Sequence, residues 1–345
     1  MYKKFFMGIA AMAALTLVSC SSDDLNSLSD NSSKHEAISF DGYLGRSAVA
    51  VNGSRGSVET KETLKTKGFG VFGNYTSTDV TTTTYGENLF KNQQVTYEAT
   101  AETPAWTYKP VKYWSPAGHI DFLAYAPFDS NQKLKESSKL DFTVNSTITA
   151  QNDLLWANAA NKTNKPVTFT FNHALSRLGY TVKTSAADKG TTITLNQITL
   201  AGSNDGAKGA FYSAGTIDLS KTSSTNLWTN LNSDTKLKFD WVSSNKELSS
   251  NETKNGETEY LFVIPQDFSQ KTTSADALYV VVEYTISYSD QTTMKTKVYK
   301  QLDKEFEQGK AYTIKLNIGL TPIEFNAEVN DWNPKDGESI DASWN

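Results

Sequence analysis

The chain has 345 residues, a formal net charge of −5 and one cysteine. A single cysteine excludes an internal disulfide, so any core must be held by burial alone, and the acidic balance argues against nucleic acid as a partner.

The chain opens Met1-Tyr2-Lys3-Lys4 and continues in an apolar run from Phe5 to Val18, a charged region followed by a hydrophobic one, as in segments removed on export. At about 14 residues the run falls short of the ~20 that span a bilayer as a helix. It closes on Leu17-Val18-Ser19-Cys20, a small residue ahead of a cysteine that is diacylated and becomes the first mature residue. Residues 1–20 thus read as a lipoprotein signal peptide, with Cys20 as the lipidation site. Two or three acyl chains, at ~0.8 kcal/mol per buried CH2, make a stable anchor. Losing Lys3 and Lys4 with the leader takes the net charge from −5 to −7. Residues 21–35 are rich in Ser, Asp and Asn without periodicity and read as a flexible tether. The remaining length suffices for two domains.

Strand-type alternation dominates from there on, and long amphipathic helices are absent from the pattern. The first strand is Ala37–Leu44, with Ile38, Phe40 and Leu44 on its buried face. A polar, Gly/Ser-containing stretch from Gly45 to Lys67 follows and holds Arg46 and Arg55. Only one other arginine, Arg177, accompanies thirty lysines. Val167, Phe169 and Phe171 alternate with polar residues, and Tyr312, Ile314, Leu316, Ile318 and Leu320 form one face. Ile323, Phe325, Ala327 and Val329 form another, opposite Glu324, Asn326 and Glu328. Leu278–Tyr288 is apolar on both faces in its first half, which places it centrally. About seven such runs precede Asn158 and about eight follow Lys165, the spacing of sandwiches. The fold class is therefore all-β, two antiparallel β-sandwich domains at 36–160 and 161–345. The boundary falls in the polar stretch Asn158–Lys165, with residues 183–190 as the competing choice.

Several motifs suggest chemistry and fail their context. Gly68-Phe69-Gly70-Val71-Phe72-Gly73 has dinucleotide-fingerprint spacing, but no strand precedes it and no helix follows. Phe69, Val71 and Tyr75 alternate as in a strand. His35, His119 and His173 lack metal-ligand spacing, and His173, at the end of an apolar strand, reads as a hydrogen-bonded structural histidine. Neither a Gly-x-Ser-x-Gly elbow nor a cysteine nucleophile is present, and pairs such as Glu305 with Glu307 are ordinary surface carboxylates. The reading is no enzyme, no catalytic residue, no metal and no cofactor. Trp228 and Trp241, in Asn/Ser/Lys-rich surroundings, raise an alternative: a monomeric surface glycan-binding lipoprotein that stacks sugars on exposed indoles. Trp114, Trp156 and Trp332 read as core.

Lys112-Tyr113-Trp114-Ser115-Pro116, followed by Phe122-Leu123-Ala124-Tyr125-Ala126-Pro127, resembles the tryptophan and F-x-A-Y-x-P signature of the fimbrillin-like proteins of Bacteroidetes. Phe169 to Leu178, Ile264-Pro265-Gln266, Gly309 to Tyr312 and Val329 to Trp332 match in the same order. The resemblance covers about Glu36 to Trp332. It implies transthyretin-like sandwiches in a pilin exported as a lipoprotein, and Ser21-Ser22-Asp23-Asp24 resembles the acidic signal for the outer face of the outer membrane. The implied assembly is a type V pilus supporting adhesion. An arginine-directed protease cuts behind the first strand, and a C-terminal strand of a neighbouring pilin subunit fills the groove. Carried onto this chain, the removable strand holds Ile38, Phe40 and Leu44. The cut follows Arg55, whose small neighbours give a protease room, or Arg46. The candidate donor holds Ile323, Phe325 and Val329, with Ile340 and Trp344 as a second part; pairing of the tail within its own domain stands as the alternative. Outer-membrane lipid and other pilin subunits are the partners, and a host or bacterial surface ligand stays open.

Overall fold

The computed structural model describes residues 36–44, 61–78, 82–185, 190–242, 245–255, 259–269, 277–320, 324–331 and 337–340, the last two ranges as backbone. Among these residues the α-helix Lys61–Lys67 and a 3-10 turn at Ile148–Ala150 are the non-strand elements. The all-β expectation holds, because β-branched and aromatic residues at every second position fit a pleated, half-buried surface. No helix among the described residues is long and apolar enough to cross a membrane.

The first sheet has seven strands in the order Phe40–Leu44, Val167–His173, Leu155–Lys162, His119–Ala126, Phe69–Thr76, Phe90–Glu98, Ala105–Thr107. Its central strand, His119–Ala126, is buried at every position. The alternation explains how. Ile120, Phe122, Ala124 and Ala126 enter one core with Ile38, Phe40, Phe69 and Phe169, while Leu123 and Tyr125 enter a second with Leu178, Leu200 and Ile314. Val71 and Phe72 divide the same way, as do Leu155 and Trp156. A sheet covered on both faces needs apolar residues at both parities. The stretch Asn158–Lys165 is the second half of the Leu155–Lys162 strand and a turn made by positive φ at Asn161 (54°) and Lys165 (68°). The first sheet therefore continues past residue 160 to His173, where Val167, Phe169 and Phe171 complete its core.

Two further sheets enclose the second core. In one, Thr191–Ala201 lies between Phe239–Val242 and Tyr279–Tyr288, with Thr293–Gln301 at the edge. In the other, Ser176–Thr184 pairs with Lys310–Ile318, followed by Glu324–Asp331 and Gly337–Ile340. The Thr191–Ala201 strand changes parity midway: Ile193 and Leu195 are buried, then Ile198 and Leu200. A bulge between Leu195 and Gln197 causes the change, since one extra residue sends the following side chains to the opposite face. The Lys310–Ile318 strand buries Tyr312, Ile314, Leu316 and Ile318 as expected. Leu320, past its end, is 45% exposed.

Among the described strands, pairing is antiparallel except in two places: Phe40–Leu44 beside Val167–His173, and Lys310–Ile318 beside Ser176–Thr184.

The glycines of the discarded fingerprint have packing roles. Gly68 caps the helix at φ +70°, its N–H donating to the Leu64 carbonyl at 2.8 Å, the left-handed termination that favours glycine. Gly70 lies under Tyr125, and a Cβ there would sit 2.3 Å from the ring and 2.8 Å from Asn92 Oδ1. Gly70→Ala should therefore destabilise the fold by about 1–3 kcal/mol through overpacking. Urea titration checks this, and an unchanged midpoint would show that the ring can move aside.

Candidate functional site

The first strand lies at the margin of the first sheet and fills it. Ile38 and Phe40 are 2% and 3% exposed, Gly42 is buried and Leu44 half-buried. The Phe40 ring lies 5.5 Å from Phe90, 5.2 Å from Tyr108, 5.6 Å from Phe122 and 5.8 Å from Phe169, centroid to centroid. Phe90 and Phe122 meet it edge-on, the arrangement that aromatic quadrupoles favour. Trp114 packs edge-on against Phe122 at 6.3 Å, so signature residues form part of the wall.

Backbone bonds hold the segment on both sides. Residues 40–44 run parallel to Val167–Phe171 in register, Phe40 opposite Val167 and Leu44 opposite Phe171, and the Val167 N–H donates to Ser39 O at 2.8 Å. Upstream, Ile38 N–H donates to Lys112 O at 2.8 Å and Trp114 N–H to Glu36 O at 3.0 Å. The Tyr108 hydroxyl donates to Ile38 O at 2.8 Å, and burial raises its pKa, keeping the donor protonated. On the outside Tyr43 and Tyr113 are 50% and 58% exposed.

Parallel neighbours cannot be joined by a tight hairpin. The first strand is accordingly remote in sequence from its partner at Val167–His173, and its covalent link to the rest of the fold runs through residues 45–60. A cut there would leave it held by non-covalent contacts alone.

Arg46 and Arg55 fall in that link, outside the described residues, as do Cys20, Ile323 and Trp344. Phe325 and Val329 lie on Glu324–Asp331, opposite Leu316 and Tyr312 of their own chain. Ile340 lies on the edge strand Gly337–Ile340, opposite Ala327. Among the described residues of the candidate donor, Phe325, Val329 and Ile340 are therefore paired within their own chain. Arg177, the third arginine, sits within the Ser176–Thr184 strand with its guanidinium 4.4 Å over Tyr260. Burial lowers its pKa, with Tyr260 and Asp153 opposing. It is a poor protease site.

Trp241 corrects an expectation. It is buried at 5%, edge-on to Tyr180 at 5.1 Å, with its indole N–H donating to Glu259 O. The apolar side of Phe239–Val242 draws it inward despite polar neighbours in sequence. Trp228 is half-buried, bonded to Ala174 O at 2.9 Å and packed on Phe142. Trp114 and Trp156 are core as expected, and Trp332 lies outside the described residues. His173, 3% exposed, bonds Asp153 through Nδ1 at 2.7 Å, the structural role expected. Among the described residues no cluster of His, Cys, Asp and Glu could hold a metal. The segments 173–177 and 307–312 meet: Gly309 N–H donates to Leu175 O at 3.0 Å and Ser176 Oγ to Glu307 O at 2.7 Å.

Sequence reasoning missed the seat's walls at Phe90 and Tyr108, and the meaning of Gly42. A glycine on the apolar parity of a strand signals close approach by something else; a Cβ at Gly42 would lie 3.2 Å from Phe69, 3.5 Å from Phe171 and 3.6 Å from Trp106.

Among solved structures the chain is similar to a fimbrial protein from Bacteroides vulgatus, with TM-score 0.65 and 21% identity over 86% of this chain and 99% of that one. It is also similar to a candidate cell adhesion protein from Bacteroides uniformis, with TM-score 0.50 and 17% identity over 86% and 99%. At these identities the likeness speaks to the fold. No curated protein matches the sequence. The sequence model of the fimbrillin-like family matches residues 57–332. With most of its length so covered, the chain belongs to the fimbrillin-like family, a family of fimbrial structural proteins and not of enzymes.

Proposed function

We propose that this chain is a structural subunit of a type V pilus that supports adhesion. It is exported as a lipoprotein held in the outer membrane through Cys20, and proteolysis behind its first strand activates it. A strand from another pilin subunit then replaces the one removed. The observation that carries the reading is the burial of Ile38 and Phe40 in an aromatic seat by a segment whose covalent link to the rest of the fold runs through residues 45–60. Refilling the seat buries three or four apolar side chains at about 1.5–3 kcal/mol each, about 5–12 kcal/mol gross before association costs. That sum holds a polymer when the incoming strand is preorganised.

An arginine-specific protease tests the reading. The cut chain should begin at Ser47 or Gly56 and form ladders of multimers on denaturant-free gels, while the uncut chain stays monomeric. A cut chain that remains monomeric, or is simply degraded, contradicts it.

A further inference from the structure

The seat sets four requirements in sequence. The Ile38 position takes a large aliphatic residue, 2% exposed, and the Phe40 position takes a ring among four others. The Gly42 position admits a methyl group at most, since its Cβ would already be 3.2 Å from Phe69 and 3.5 Å from Phe171. The Leu44 position is half open. Ser39 and Tyr43, between these positions, face outward.

One C-terminal segment carries the same pattern at the same spacing. Ile38-Ser39-Phe40-Asp41-Gly42-Tyr43-Leu44 aligns without a gap on Ile323-Glu324-Phe325-Asn326-Ala327-Glu328-Val329. Ile120–Ala126 matches the first three requirements, but it belongs to the central strand of the first sheet, buried at every position, and its Phe122 is itself a wall of the seat. Read backwards, the C-terminal segment places Ala327 in the Phe40 slot and Phe325 on Gly42, a cavity and a clash at once. The tail segment Ile340-Asp341-Ala342-Ser343-Trp344 fails in both frames. Starting at the Ile38 slot it puts Trp344 on Gly42, and with Ala342 on Gly42 it puts Glu338 into the Ile38 slot, burying a carboxylate.

We infer that the strand entering the vacated seat is Ile323–Val329 of a second copy, running parallel to Val167–His173, with Ala327 on Gly42's position. The inference rests on the strand exchange proposed above and fixes its donor, register and direction. Phe325 then lies opposite Val167 and Val329 opposite Phe171, the places Phe40 and Leu44 hold now. Leaving home costs the donor its pairing with Lys310–Ile318 on one side and with Gly337–Ile340 on the other. Exchange therefore gives up two backbone ladders for the one along Val167–His173, and side-chain fit in the seat has to offset the difference.

Synthetic peptides of residues 322–331 test this against the full chain cut by an arginine-specific protease, with fluorescence anisotropy as readout. The natural peptide should bind the cut chain and not the uncut one. The Ala327→Phe peptide, the reversed-sequence peptide and a peptide of residues 336–345 should each bind at least about tenfold more weakly, the effect of ~1.4 kcal/mol. Ladder formation by the same cut chain is followed in parallel. Ladders with equal binding of all four peptides overturn the register and leave strand exchange standing. Absence of both ladders and peptide binding overturns both.

Discussion

Phe40→Ala in the uncut chain is expected to lower the free energy of unfolding by about 3–5 kcal/mol, the cost of deleting a buried ring. Four aromatic rings lie within 6 Å of the Phe40 centroid, so the void is lined by flat, stiff groups that collapse poorly. The same substitution should leave the cut and assembled polymer unchanged, because the residue departs with the first strand. Phe169→Ala, in the wall that stays behind, should harm the uncut chain and the polymer alike. Urea titration of the precursor beside urea resistance of the ladders separates the two. Equal damage to both by Phe40→Ala would mean that the strand never leaves.

The second large effect is expected at Asp153. Its carboxylate is fully buried against His173 Nδ1 at 2.7 Å, and His173 ends the strand where the chain leaves the first sheet. The His173 carbonyl also accepts a bond from Gln308, so this residue joins segments far apart in sequence. Asp153→Ala removes one partner of a buried polar pair and leaves the imidazole desolvated, at a cost of about 3–5 kcal/mol. Adding His173→Ala should cost less than the sum of the two single changes, because the second removes the group that the first stranded. Additive losses in a denaturation cycle would show that the pair is not coupled.

Much of this architecture was legible in the residues. Alternation such as Val167, Phe169 and Phe171 against Thr168 and Thr170 fixes both strand type and facing, since period two admits one buried face. The seat's occupants, Ile38 and Phe40, followed from the same rule. Its walls did not, because periodicity names a buried face without naming what lies across from it. Tyr108 arrives from a loop, and Phe90 from a strand whose burial is confined to a few positions. The inward turn of Trp241 was hidden for a related reason: polar neighbours describe the adjacent parity of a strand, not the side chain between them. The two parallel pairings were equally silent, as partners so remote in sequence leave no hairpin turn to mark them.

The central claim is that the first strand occupies its seat temporarily and must leave before subunits join. Tyr43 and Thr170 pair directly, and both are exposed. Tyr43→Cys with Thr170→Cys, in a chain carrying Cys20→Ser, can thus tie the strand to its neighbour at a separation suited to a disulfide. After arginine-specific cleavage the oxidised protein should remain monomeric, and adding a reductant should release ladder formation. Ladders of equal extent before and after reduction would contradict the account.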